Sequence, residues 1–295
     1  MDTTRAVFQA NHLHDNEGKI RDQMAKDGFA LIRGLFDRQK IADIRLQVLE
    51  LFRQEGCQAA GHARDEGLMR PRSDISDAAI WAVRGKAFGL ESVHRLWHSQ
   101  EILDVMRMLI NEEVVPHVHK QVRFQFPAET GRAPDITAAH QDYIYNQGAE
   151  EVYSCWTPLG DLSQKYGVLQ VLPGSHLNGL YNVHLPSPGS ITYSIDEKEL
   201  SDGWYSPDYR MGDAILFHSY TVHRAPANES GFIRLSSDCR FQGISQPFSK
   251  ELVKPLPGVI ESYPQWVSKD LQYYWERMDL RLVDHDFSFL ERMKQ

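Results

Sequence analysis

The sequence predicts a mainly β fold, a sandwich or barrel of short strands with helices added around it. Three features point there. From residue 114 onward, short apolar or alternating runs are separated by Gly, Pro, Asn and Asp, the cadence of strands joined by turns. Ahead of them, apolar residues recur at helical spacing. Helices and strands are segregated along the chain, which argues against repeated βα units.

Taken in order, 17–26 reads as a helix leading into a short strand at 28–33. Within 40–53, Ile41, Ile44, Val48, Leu49 and Phe52 share one helical face, and Asp37 is placed as the N-cap. Further helices are expected at 75–88 and 99–110. The stretch 54–72 is charged, carries three glycines and has no period, so it is expected to be a loop over the active site. Strands are expected at 114–126, 138–146, 152–159, 168–172, 180–185, 214–218 and 232–242, with turns at 173–174, 188–189, 212–213 and 228–231. The segment 265–293 returns to mixed helix. No linker or repeat interrupts the chain. The expectation is one domain over 1–295: a helical part to about 112, a barrel core over about 113–245 and a C-terminal helical extension over about 246–295.

Composition narrows the function. A net charge of −8 argues against nucleic acid or an anionic membrane as the main partner, since both need a basic face. Residues 1–26 contain no apolar run able to serve as a signal or a span. Cys57, Cys155 and Cys239 are far apart, which gives no disulfide framework and no thiolate zinc site and fits a reducing, cytoplasmic setting. A small-molecule partner is expected, on a monomer or homodimer.

The chemistry centres on His140-Gln141-Asp142. On a strand, side chains at i and i+2 share a face, so His140 and Asp142 both look inward while Gln141 turns away. His223, beyond the strand 214–218, is the candidate third ligand. Two imidazoles and a carboxylate on one face leave positions open, as Fe(II) requires for a bidentate co-substrate and O₂. Arg234 and Ser236 follow on one strand face, a guanidinium and a hydroxyl suited to clamping a buried carboxylate.

Several blocks, in order, resemble the phytanoyl-CoA dioxygenase family of Fe(II)/2-oxoglutarate oxygenases. They are Asp27 through Phe36 (DGFALIRGLF), His140-Gln141-Asp142, Cys155 through Asp161 (CWTPLGD), Gly167 through His176 (GVLQVLPGSH), Gly212 through Phe217 (GDAILF), and His223 through Asn228 to Arg234. The resemblance implies a double-stranded β-helix, a jelly-roll or cupin-like barrel, with the N-terminal helices packed outside. It also implies iron on His140, Asp142 and His223, and 2-oxoglutarate on Arg234 with Trp156 nearby. The family often has Ser or Thr two positions after the distal His, where this chain has Ala225; Ser236 is the candidate replacement. Related halogenases replace the carboxylate with a small residue, so Asp142 favours hydroxylation, or a desaturation or cyclisation variant.

Gln121, Arg123 and Gln125 share a strand face. Gln121 is a candidate co-substrate contact and Arg123 and Gln125 are candidate substrate contacts; the alternative is a solvated outer face. Tyr143, Tyr145 and Asn146 are placed at the substrate mouth, and Trp204 at its rim. His176 is expected to be structural, His218 to lose to His223 as ligand, and His117 and His119 to lie at the surface, with one of them facing the pocket as the alternative. Two competing functions keep the same fold: a non-catalytic metabolite-binding barrel, and a Zn(II) hydrolase on the same ligands.

Overall fold

Helix formation in the N-terminal part follows from its caps and apolar stripes. The computed structural model describes residues 7–63, 65–185, 193–254, 268–286 and 288. Helix α1 (Glu17–Asp27) ends on Gly28 in the left-handed region, φ +77°, whose N–H closes onto Met24 O at 2.9 Å. A Cβ at Gly28 would meet His176 and Thr221 at 2.5 Å, so both conformation and space demand glycine. Helix α2 (Arg38–Gln54) starts where Asp37 accepts from Lys40 N at 2.9 Å, a cap of roughly 1 kcal/mol. Helix α3 (Asp77–Phe88) is capped by Ser76, and α4 (Glu91–Trp97), which periodicity did not separate, precedes α5 (Gln100–Ile110).

Among the described residues ten of the strands form two sheets, and a separate two-stranded pair lies near the C-terminus. The larger contains β1 (Val7–Gln9), β2 (Phe29–Arg33), β3 (Val114–Pro116), β4 (Gln121–Gln125), β6 (Val152–Pro158), β8 (Ala214–His218) and β10 (Arg234–Gly243). Its order is β1-β2-β8-β6-β10, after which β4 and β3 pair with successive halves of β10. The smaller is β5-β9-β7, from β5 (Thr137–His140), β7 (Gln170–Val171) and β9 (His223–Ala225). Among the described residues no strand pairing joins the two sheets, so the expected barrel is open. The run expected at 180–185 makes only a His184–Ser194 bridge, and β7 has two residues. Strands this short leave the edges unjoined.

The outward face of the larger sheet packs on the helices. Ala30, Ile32, Leu216, Cys155, Cys239 and Phe241 share a core with Ile41, Val48, Trp97 and Met106. The inward face divides in two. Phe29, Leu31, Trp156, Ile215 and Phe217 meet Val171 of the smaller sheet in an apolar layer. Beyond β6 the same face turns polar: Arg234, Ser236, Asp238, Arg240 and Gln242 alternate along β10, all buried. Burying such a row costs stability unless each group finds a partner.

The C-terminal helical extension is not borne out in the described part. Residues 268–286 hold a turn, a 3-10 helix (Tyr274–Arg277) and β12 (Leu282–Val283), which pairs in parallel with β11 (Phe248–Ser249). Residues 265–267, 287 and 289–293 of that expected segment, and the turn at 188–189, lie outside the described residues. The loop 54–72 covers α2 more than the site: Cys57 enters the helical core, and only Arg72 reaches the cavity described below. No helix among the described residues is long and apolar enough to cross a membrane.

Candidate active site

His140 ends β5 and His223 opens β9, and the two are direct partners across the antiparallel pair. Asp142 does not continue the strand as expected; it opens a 3-10 turn over Asp142–Ile144. The i, i+2 relation survives because Gln141 between them is still extended, at φ −116° and ψ 136°. Gln141 turns away as expected and is buried, donating to Gly179 O and Tyr220 O. The three side chains thus converge. His140 Nε2 lies 3.8 Å and His223 Nε2 3.7 Å from Asp142 Oδ1, and one ligand atom from each falls within 4.8 Å of the others.

The tautomers are fixed from behind. His140 Nδ1 contacts Ala138 O at 2.8 Å and His223 Nδ1 contacts Thr221 O at 3.0 Å. A carbonyl only accepts, so each Nδ1 carries the proton and each Nε2 turns a lone pair to the centre. Burial, reinforced by His223, pushes His140 down to about 3, and burial also lowers His223. Burial opposes the charge on Asp142, but Arg240 and the imidazoles outweigh it and hold the carboxyl well below the ordinary range. Two neutral nitrogen donors and one carboxylate make a donor set that fits ferrous iron.

Arg240, Asp238 and Ser154 were missed by the sequence reading. Arg240 donates to both oxygens of Asp142, at 3.0 and 2.9 Å, and also pairs with Asp238. Asp238 accepts from Arg123 Nε at 2.5 Å, and Ser154 Oγ donates to Asp142. The available signal was the alternation of polar residues along 234–242, which more often marks a solvent face than an inward one.

Arg234 is buried on the same strand face. Its Nη1 donates to Gly167 O at 2.8 Å, while its Nε has no partner. Gly167 has φ +64°, and a Cβ there would meet Pro226 O at 2.3 Å, so only glycine fits against that backbone. Ser236 Oγ, two residues along, is also buried without a partner. Two adjacent orphaned donors, one cationic, form a cradle for a carboxylate. Burial, followed by the neighbouring Arg123, lowers Arg234 to about 10.

His140, Asp142, Arg234 and Arg240 border a cavity of about 960 Å³. Gln121, Arg123, Gln125, Tyr145 and Asn146 line it with them. Gln125 donates to Pro226 O at 2.7 Å and Asn146 to Asp142 O at 3.0 Å. Three candidates lie elsewhere. Tyr143 turns with the 3-10 helix onto Tyr220, ring centres 5.0 Å apart. Trp204 lies 4.0 Å beneath the Arg224 guanidinium. Trp156 packs on Tyr209 in the apolar layer. His117 and His119, expected at the surface, both line the cavity, bonded to Gln242 and to Lys254 O. His218 accepts from Tyr220 N, and His176 lies against Gly28 and Ala25 O; neither joins the triad. Helix α3, expected outside the barrel, forms one cavity wall through Ile80, Trp81 and Arg84.

The profile of the phytanoyl-CoA dioxygenase family matches residues 24–236. The chain belongs to that family. As a member it is a dioxygenase of the iron- and 2-oxoglutarate-dependent class. It is 26% identical over 269 residues to 1-deoxypentalenic acid 11-beta-hydroxylase of Streptomyces exfoliatus, covering 87% of this chain and 92% of that one. Among solved structures, the epimerase SnoN in complex with Fe3+, alpha ketoglutarate and nogalamycin RO superposes with a TM-score of 0.58 at 19% identity, covering 83% and 91% of the two chains. EvdO2 from Micromonospora carbonacea, complexed with 2-oxoglutarate, gives 0.56 at 19%, covering 84% and 95%. At such identities the two structures speak for the fold of the family.

Proposed function

We propose that this protein hydroxylates an unactivated C–H bond of a small organic metabolite, using His140, Asp142 and His223 to hold Fe(II) and Arg234 with Ser236 to bind the distal carboxylate of 2-oxoglutarate. The observation that carries this reading is the pair of orphaned donors, Arg234 Nε and Ser236 Oγ, on the cavity-side face of β10 beside the triad. When bound, iron and 2-oxoglutarate supply the activation of O₂, with succinate and CO₂ released. The chain's own residues do the positioning. Ala138 O and Thr221 O hold the imidazole protons on Nδ1, Arg240 and Ser154 fix the Asp142 carboxylate, and the buried cradle keeps water from the co-substrate. Asp142 in the triad supports hydroxylation over halogenation. The relative from Streptomyces exfoliatus, a hydroxylase by name, supports a small metabolite, and three buried free cysteines support a reducing, cytoplasmic setting.

Anaerobic addition of Fe(II) and then 2-oxoglutarate should give a visible charge-transfer band, with succinate formed only on admitting O₂. His140→Ala should lose both. Retention of iron binding and turnover in that variant would overturn the ligand assignment, and substrate conversion without O₂ would favour the hydrolase instead.

A further inference from the structure

The cavity's charges balance almost everywhere. Arg123 is neutralised by Asp238, Arg240 by Asp142 and Asp238, Arg72 by Asp77, and Lys254 by Glu251. Arg234 faces the inner end with an orphaned Nε. Among the described residues one other guanidinium on the lining stands without a counter-charge, that of Arg84 on α3.

Its surroundings are aromatic. The Arg84 Cζ lies 4.8 Å from the Phe124 ring centre and 5.5 Å from that of Trp81. Among the described residues it has neither a hydrogen-bond acceptor nor a carboxylate. Half burial disfavours its charge, and Arg123 nearby adds like-charge repulsion. The rings attract the cation without taking up its N–H groups, which leaves those donors free to receive an anion. Around it the cavity wall is apolar and open: Trp81 is 51% and Ile136 60% exposed, large side chains that gain by being covered.

Resting on the oxygenase reading of this cavity, we propose that Arg84 binds the carboxylate of the substrate, an organic acid with an apolar body that lies against Trp81, Phe124 and Ile136. The site offers one uncompensated positive charge at this outer end, which matches a monoanionic carboxylate. A coenzyme A ester, with several phosphate charges, would need a cluster of free cations that the paired arginines do not provide.

The test uses the full-length protein, saturated with 2-oxoglutarate and Fe(II) under anaerobic conditions, and calorimetric titration with decanoate, 1-naphthoate and their neutral amides. Each acid should bind about tenfold tighter than its amide. Arg84→Gln should erase that preference, and Arg84→Lys should keep part of it. Absence of any acid-over-amide preference across the panel, or a preference that survives R84Q, overturns the assignment. The charge-transfer band reports separately. A wild-type protein that prefers the acids yet gives no band keeps the Arg84 site and loses the oxygenase reading.

Discussion

Arg234 and Arg240 occupy the same face of one strand and are almost equally buried, at 3% and 8% exposure, yet their states are opposite. Arg240 lies between two carboxylates; burial disfavours its charge, but Asp142 and Asp238 outweigh it and raise its pKa. Arg234 has one carbonyl and an unsatisfied Nε, and burial lowers it. The Arg240 end is complete within the chain. The Arg234 end is complete only with an anion from outside. Burial alone therefore does not separate a structural arginine from a binding one; the tally of partners does.

That contrast yields ordered expectations. Arg240→Met would strand Asp142 as a buried charge and leave Asp238 to Arg123 alone, and urea unfolding of the metal-free protein should report a loss of about 3–5 kcal/mol. A loss below about 1 kcal/mol would break the contrast. Arg234→Met should do the reverse. Stability of the ligand-free protein stays within about 1 kcal/mol, since no carboxylate loses its partner. Affinity for 2-oxoglutarate, followed by the charge-transfer band, should fall about a hundredfold. Ser236→Ala should weaken the same titration by about fivefold, and an unchanged titration would remove Ser236 from the cradle.

A separate expectation concerns pH at the Arg240 end. Burial pushes His117, bonded to Gln242 at 2.9 Å, down to about 3 from an ordinary value of 6.5. The folded protein keeps this imidazole neutral where the unfolded chain protonates it. Stability is therefore present above about 6.5 and is lost as pH falls toward 3, at up to about 1.4 kcal/mol per unit. His117→Asn should flatten the plot of unfolding free energy against pH across that window by one proton's worth; an unaltered slope would mean that His117 titrates normally.

The sequence made the first of these two ends legible only in part. His140, Asp142, His223 and Arg234 were readable because strand alternation and motif order constrain them directly. The Arg240–Asp238 network was not, since polar alternation says which residues share a face but not whether that face meets water. Tyr143 went astray for a related reason: a strand was extrapolated through Asp142, where the chain turns. Helix α3 was expected at 75–88 and forms over Asp77–Phe88, yet nothing in its periodicity placed Arg84 in a cavity wall. Direction relative to a neighbouring element is a tertiary fact, and local pattern does not encode it.

The direct pairing of His140 with His223 has a consequence for assembly. A slip of one residue between β5 and β9 would turn one imidazole to the opposite face, so a misregistered sheet presents no complete ligand set. An ion bound there acts as a proofreading clasp, rewarding only the correct alignment of three short strands that otherwise hold each other weakly. Loading should stabilise the fold in proportion to the logarithm of free iron, and the smaller sheet should be where that protection from hydrogen exchange appears first.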